Sequence, residues 1–280
     1  MASVLALLAA CAFALGTVLQ QKGTLETSAP EGDPSFLLQV LRRPVWVAGG
    51  LLQAAGWVLQ AAALDRGTLV VVQAICTLSL VIALPLGARL TDQHIDRRAI
   101  IGAVATVAGI VLFVAVGQPE GGISDPSSEA WWAAILVCAA LVVGLALLAR
   151  TSRGGRAAAL FAAAAGVGFG LQAAVTKVFV TQLGQGAAHL LSTWSTYVLI
   201  ISALSGFTLQ QSALKTGFLA PAMAASNATT LTVSVILGVA VFQESISAGE
   251  TRLWPAVLGL VMAVAGVVTL AGPPGATVAT

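Results

Sequence analysis

Apolar runs of roughly 19 to 25 residues recur along almost the whole chain, and each is about as long as a helix must be to cross a hydrocarbon core. They fall at residues 2–21, 45–63, 68–89, 99–117, 131–149, 157–181, 189–212, 217–242 and 253–271. Only 9% of the 280 residues are charged and 58% are hydrophobic, against about 25% charged in soluble domains. A water-soluble fold of this size could not cover its surface with so few charges. The chain is therefore read as an all-α integral membrane protein of about nine transmembrane helices.

The polar remainder excludes several classes. The formal net charge of +2 is spread over loops, which gives a nucleic acid no electrostatic footprint. Cys11, Cys76 and Cys138 lie inside apolar runs without CxxC spacing and read as small hydrophobes. His94 sits in a charged loop and His189 at a span edge; neither has metal-ligand spacing or a neighbouring nucleophile. No enzyme, metal site or cofactor is expected. "LLAAC" at residues 7–11 resembles a lipoprotein cleavage box, but no Lys or Arg precedes it. The charged n-region of a signal peptide is missing, so Met1 to Gln21 is expected to remain as a membrane helix.

The loops carry an orientation signal. Arg42 and Arg43, then Arg89, Arg97 and Arg98, then Arg150, Arg153 and Arg156 gather in alternate loops, whereas "QPEGGISDPSSEA" at 118–130 has three acids and no base. Cytoplasmic loops collect Lys and Arg, which predicts a multi-pass plasma (inner) membrane protein with its N-terminus outside and its C-terminus cytoplasmic. In the first loop Phe36 to Leu41 is apolar but too short to span, and is expected at the interface.

An internal repeat organises the chain. "GWVLQAAALDRGTLVVVQA" from Gly56 aligns with "GFTLQQSALKTGFLAPAMA" from Gly206, matching Gly56/Gly206, Leu59/Leu209, Gln60/Gln210, Ala63/Ala213, Leu64/Leu214, Gly67/Gly217 and Leu69/Leu219 at an offset of 150 residues. Later, "IGAVATVAGIVLFV" from Ile101 aligns with "LGLVMAVAGVVTLA" from Leu258, pairing Gly102 with Gly259 and Gly109 with Gly266. Earlier, "LGTVLQQKG" set against "GLQAAVTKV" places Lys22 opposite Lys177. The loop charges put the Asp65–Arg66 turn outside and the matching Lys215–Thr216 turn inside. Two inverted repeats are predicted, residues 1–149 (including a connecting helix) and 150–280, an architecture common among secondary transporters with a site near the midplane.

Polar residues inside spans are either helix-packing glue or site lining, because hydrocarbon penalises any left without a partner. Gln53, Gln60, Gln73, Gln172, Gln210 and Gln211 are of this kind, with Gln60 and Gln210 repeat-equivalent. In "AASNATTLTVS" the turn of about 100° per residue lets Ser226, Thr230 and Asn227 share a face, while other hydroxyls bond back to their own helix. "NAT" matches a glycosylation sequon, accidental inside an apolar span. Pro85 and Pro221 mark kinks, for gating or merely structural. No carboxylate lies near the middle of any span, and Glu244 follows the eighth; a dehydrated Mg²⁺ cage, which favours carboxylates, has no ligands there.

The helix ending "VLQQKG", then "WVAGGLLQAAGWVLQAAALDRGTLVVVQAICTLSLVIALPLGARL", "IIGAVATVAGIVLFV" and, in the second half, "QAAVTKV" and "LQQSALKTGFLAPAMAASNATTLTVSVILGVAVFQES" resemble the drug/metabolite transporter superfamily, most closely its NIPA-like magnesium transporter branch. The resemblance covers nearly the whole chain and implies an EamA-like, nine-span inverted-repeat carrier. It also implies Mg²⁺ among the candidate substrates, although the third span ends "ARLTDQ" without the Glu that members often carry there.

The resulting expectation is a carrier that moves a small polar or anionic solute, or a lipid head group, by alternating access. Gln21, Lys22, Gln60, Gln73, Gln172, Lys177, Gln210, Asn227 and Thr230 are its substrate-binding candidates, with the two lysines as contacts at the two mouths or as membrane anchors. Cation transport through amides and carbonyls, and a non-transporting membrane scaffold, are the alternatives. Partners are the small-molecule, ion or lipid substrate and the membrane lipids, with no nucleic acid, in a monomer or homodimer.

Overall fold

The computed structural model describes residues 1–25, 41–90, 97–117, 119–123, 126–216, 219–246 and 250–270. The expected interfacial segment at 36–41, except Leu41, and His94 lie outside the described residues. The fold is helical: α1 (Ala2–Leu25), α2 (Pro44–Leu64), α3 (Leu69–Cys76), α4 (Leu78–Leu90), α5 (Arg97–Gly117), α6 (Ser128–Thr151), α7 (Gly154–Gln182), a 3₁₀ turn (Leu183–Gln185), α8 (Ala187–Ser192), α9 (Trp194–Lys215), α10 (Leu219–Ala240) and α11 (Glu250–Leu270). Among the described residues, seven helices are long and apolar enough to cross a membrane. Two further expected spans, 189–212 and 253–271, are also helical. The first is interrupted at Thr193 and carries hydroxyls and amides throughout α9; the apolar stretch of the second is shorter, Trp254–Val267.

Small residues set the packing, since helices in lipid associate by close approach rather than by hydrophobic exclusion. In the antiparallel α1–α2 pair Gly16 faces Gly49, and a Cβ on Gly49 would stand 2.7 Å from the Gly16 carbonyl oxygen. The antiparallel α5–α11 pair is equally tight, with a Cβ on Gly259 2.8 Å from the Gly109 carbonyl oxygen and one on Gly266 2.7 Å from that of Gly102. Helix α7 is rich in Ala and Gly, and Gly166 and Gly170 seat it on α10 while Gly168 seats it on Gly206 of α9. Helix α6 is peripheral and packs on α7; its exposed Trp132, Leu136, Val143 and Leu147 suit a face turned to acyl chains.

Two elements differ from expectation. The third span is not one helix, because the chain tightens at Thr77, whose hydroxyl donates to the Gln73 carbonyl at 3.0 Å while Leu80 N–H donates to the Thr77 carbonyl three residues back. That three-residue hydrogen bond is a 3₁₀ feature. The break therefore falls at Thr77, and α4 runs on through Pro85. Pro221 also fails to interrupt a helix: α10, described from Leu219, runs on past it to Ala240.

Most basic residues at helix ends fall on one side. Lys22, Arg43, Arg89, Arg97, Arg98, Arg150, Arg153, Arg156 and Lys215 sit at ends or first turns there, whereas the opposite ends carry Arg66, paired with Asp65, and Arg252. At the opposite side, strands β1 (Pro119–Gly121) and β2 (Glu244–Ile246) pair antiparallel, with Gly121 against Glu244. Trp131 packs there against Trp194 in a tilted arrangement at 5.0 Å and edge-on to Phe242 at 5.7 Å.

Candidate functional site

Six elements meet around a central cavity of about 180 Å³. They contribute Phe13, Thr17 and Gln20 from α1; Gln53, Trp57 and Gln60 from α2; Gln73, Cys76, Thr77 and Ser79 from around the α3–α4 break; Phe169 and Gln172 from α7; Phe207, Gln210 and Gln211 from α9; Met223, Ser226, Asn227 and Thr230 from α10. The tightened turn at Thr77 thus brings Cys76, Thr77 and Ser79 to the wall. Among the described residues, eight amide side chains, five hydroxyls and four aromatic rings make up most of the lining, with no ionisable group other than the Cys76 thiol.

Part of this polarity is already used within the protein. Gln53 Nε2 donates to Thr17 Oγ1 at 2.9 Å, Asn227 Nδ2 to the Met223 carbonyl at 2.8 Å, and Thr230 Oγ1 to the Gly166 carbonyl at 3.2 Å. Gln210 Nε2 meets only a soft acceptor, Met223 Sδ at 3.8 Å. Two buried polar atoms in the wall have no partner, Gln73 Nε2 and Gln210 Oε1.

Of the nine residues singled out from the sequence, Gln60, Gln73, Gln172, Gln210, Asn227 and Thr230 line this one cavity; Gln21, Lys22 and Lys177 do not. The amide that α1 presents is Gln20, one position and about 100° of helix rotation away. Lys22 is half-buried in the last turn of α1. Lys177 lies five residues beyond Gln172, about 7.5 Å farther along α7, and its ammonium is engaged elsewhere.

That engagement is a second polar centre which the sequence did not reveal. Lys177 Nζ stands 2.6 Å from Glu244 Oε1 and 4.8 Å from the centre of the Phe242 ring. The same carboxylate accepts from Leu69 N at 2.6 Å and Val70 N at 3.0 Å. It therefore caps the first turn of α3, where unsatisfied amides and the helix dipole favour negative charge. The Glu244 side chain is 0% exposed. Its pocket exists because Gly238 and Gly122 have no side chains: a Cβ on Gly238 would lie 2.8 Å from Glu244 Oε2, and one on Gly122 3.0 Å from Glu244 Cγ. Gly122 has φ +99° and Gln243 φ +54°, a left-handed geometry uncommon for a residue with a side chain, so the backbone bends on both sides of the carboxylate.

An apolar plug adjoins the ion pair. Leu69, whose amide Glu244 accepts from, and Phe242, beneath Lys177, belong to one packed cluster with Leu64, Val72, Val175, Leu237 and Val241, and Cys76 of the cavity wall belongs to it as well. The ion pair joins α3, α7 and the chain that follows α10.

No family model and no solved structure matches the chain. It is 32% identical over 247 residues to an uncharacterized protein of Corynebacterium glutamicum, an alignment covering 87% of this chain and 85% of that protein. The chain belongs to the same family as this uncharacterized C. glutamicum protein.

Proposed function

We propose that the protein is a secondary carrier of the drug/metabolite transporter type, which moves a small polar solute across the plasma membrane by alternating access. One observation carries this reading: the repeat maps the cavity wall onto itself. At the offset of 150 residues Trp57 corresponds to Phe207, Gln60 to Gln210, Gln73 to Met223, Cys76 to Ser226 and Thr77 to Asn227, and every one of these ten residues lines the same cavity. The α5–α11 contacts behave likewise. Exchanging Gly102 with Gly259 and Gly109 with Gly266 turns the contact Gly109–Gly259 into Gly266–Gly102, which is also made. Halves of inverted topology related by an axis in the membrane plane would have this property, with a substrate site between them.

The basic helix ends support placing that side in the cytoplasm, so that Glu244, Lys177 and the apolar plug form the outer barrier. Alternating access then consists of separating α3 from α7 at the Lys177–Glu244 pair while the basic side closes. A scaffold has no need of an amide-lined cavity between its halves. A hard divalent cation favours carboxylate oxygens, whereas this wall offers amides, hydroxyls and rings. The lysines proposed to attract an anion stand outside the wall, one of them neutralised by Glu244.

The decisive measurement is accessibility from each face. In a protein carrying Cys11→Ala, Cys76→Ala and Cys138→Ala, a single Ser79→Cys in sealed vesicles of known orientation is expected to react with an impermeant maleimide applied to either side. Labelling from one face only, or from neither, would remove the carrier reading. Protein-dependent Mg²⁺ flux into indicator-loaded liposomes would replace the polar solute with a cation.

A further inference from the structure

We infer that the cavity takes an uncharged ring compound bearing both hydrogen-bond donors and acceptors, the chemistry shared by heterocyclic amides and sugars; this rests on the carrier reading above. Three features of the wall converge on it. The first is charge. Among the described residues the lining has no Asp, Glu, Lys, Arg or His, and an ion taken from water into such a site finds no counter-charge to offset its desolvation.

The second is a pair of unused hydrogen-bonding atoms. Gln73 is 3% exposed and its Nε2 donor has no partner; Gln210 Oε1 is a buried acceptor without one. The orientation of Gln210 follows from its neighbour, because the Met223 thioether sulfur can only accept and so draws the amide nitrogen, leaving the carbonyl oxygen without a donor. A buried polar group left unmade is costly, and no other residue of the wall satisfies these two. They come from different halves of the chain. A ligand that both accepts from Gln73 and donates to Gln210 would tie the halves together, which an ion recognised through its charge alone would not require.

The third is the ring content. Phe13, Trp57, Phe169 and Phe207 stand among the amides, and Trp57 and Phe207 are repeat-equivalent. Aromatic faces favour flat or ring-shaped apolar surface, while a few placed polar groups fix orientation, the usual division of labour in a small-molecule site. A small inorganic anion would use none of the four rings.

The test uses the full-length protein in nanodiscs, with tritiated uracil and glucose as uncharged ring probes and glutamate, spermidine and Mg²⁺ as charged ones. An uncharged ring probe is expected to bind and raise the melting temperature, and the charged probes to do neither. Gln73→Met and Gln210→Met are each expected to weaken that binding about tenfold or more, since a ligand group would lose its hydrogen-bond partner inside a dry site. The ligand-free melting temperature of both variants is expected to stay level or rise, because an unpartnered amide is being replaced by an apolar chain of similar size. A fall in melting temperature for both variants would show the amides to be helix-packing glue and overturn the inference. So would binding confined to a charged probe, or binding of neither ring probe. Two-sided labelling at Ser79→Cys combined with any of those results would leave the carrier intact and remove only the ligand class; one-sided labelling with uracil or glucose bound would do the reverse.

Discussion

Glu244→Ala is expected to lower stability by about 3–5 kcal/mol, the cost typical of removing one partner of a buried ion pair. Two losses combine. Lys177, 16% exposed, loses its counter-ion beside the Phe242 ring, and the first-turn amides of Leu69 and Val70 lose their acceptor. Lys177→Met is expected to cost less, because the carboxylate keeps both backbone donors and the favourable end of the α3 dipole. The exchanged pair, Lys177→Glu with Glu244→Lys, is expected to be worse than either single change: an ammonium at position 244 would point its donors at two backbone N–H groups. Thermal unfolding in detergent and in nanodiscs checks the order. Recovery of stability in the exchanged pair would show that only the side-chain charges matter and that the cap contributes nothing. Glu244→Ala should also raise Ser79→Cys labelling from the Glu244 side, since the barrier there loses the contact joining α3 to α7.

The helices and most of the cavity were legible in the sequence, for one physical reason: lipid makes polar atoms conspicuous. Span length is set by the bilayer, and Gln60, Gln73, Gln172, Gln210, Asn227 and Thr230 stood out because an amide or hydroxyl in an apolar run needs a partner. What stayed hidden was direction. Gln20 and Gln21 are equally polar, and only the packing of α1 against α2 decides that Gln20 faces inward. Phe13, Phe169 and Phe207 could not be told from lipid-facing rings, since both environments are apolar. Glu244 read as a carboxylate after a span, yet it lies folded against α3 at a sequence separation of 175 residues. Its immediate neighbours, Gln243 and Ser245, are polar, so the local sequence gave no sign of its burial. Lys177 was recognised as important for its repeat partner Lys22, but a linear register cannot report that one lysine of the two is neutralised.

Gly109→Val is expected to cost about 2–3 kcal/mol or more, at the upper end of overpacking penalties, because what it meets is backbone. A Cβ at Gly109 would stand 2.5 Å from the Gly259 carbonyl oxygen and also overlap the Ala263 amide nitrogen; no side-chain rotation relieves either contact, so α5 and α11 must move apart. Gly266 is the repeat equivalent, and a Cβ there would stand 2.5 Å from the Thr106 amide nitrogen and 2.7 Å from the Gly102 carbonyl oxygen. Gly109→Ala and Gly266→Ala should therefore have similar costs. Combined, they should cost less than their sum, because helices already separated by one methyl have room for the second. Gly144→Ala is the matched control, with nothing within 4 Å of its Cβ position and a gain of about 0.5–1 kcal/mol expected from helix propensity alone. Thermal melts of the four proteins decide between two pictures. Unequal single costs that add fully would mean two independent steric clashes, whereas equal costs that fail to add identify one interface, read twice by the two halves of the chain.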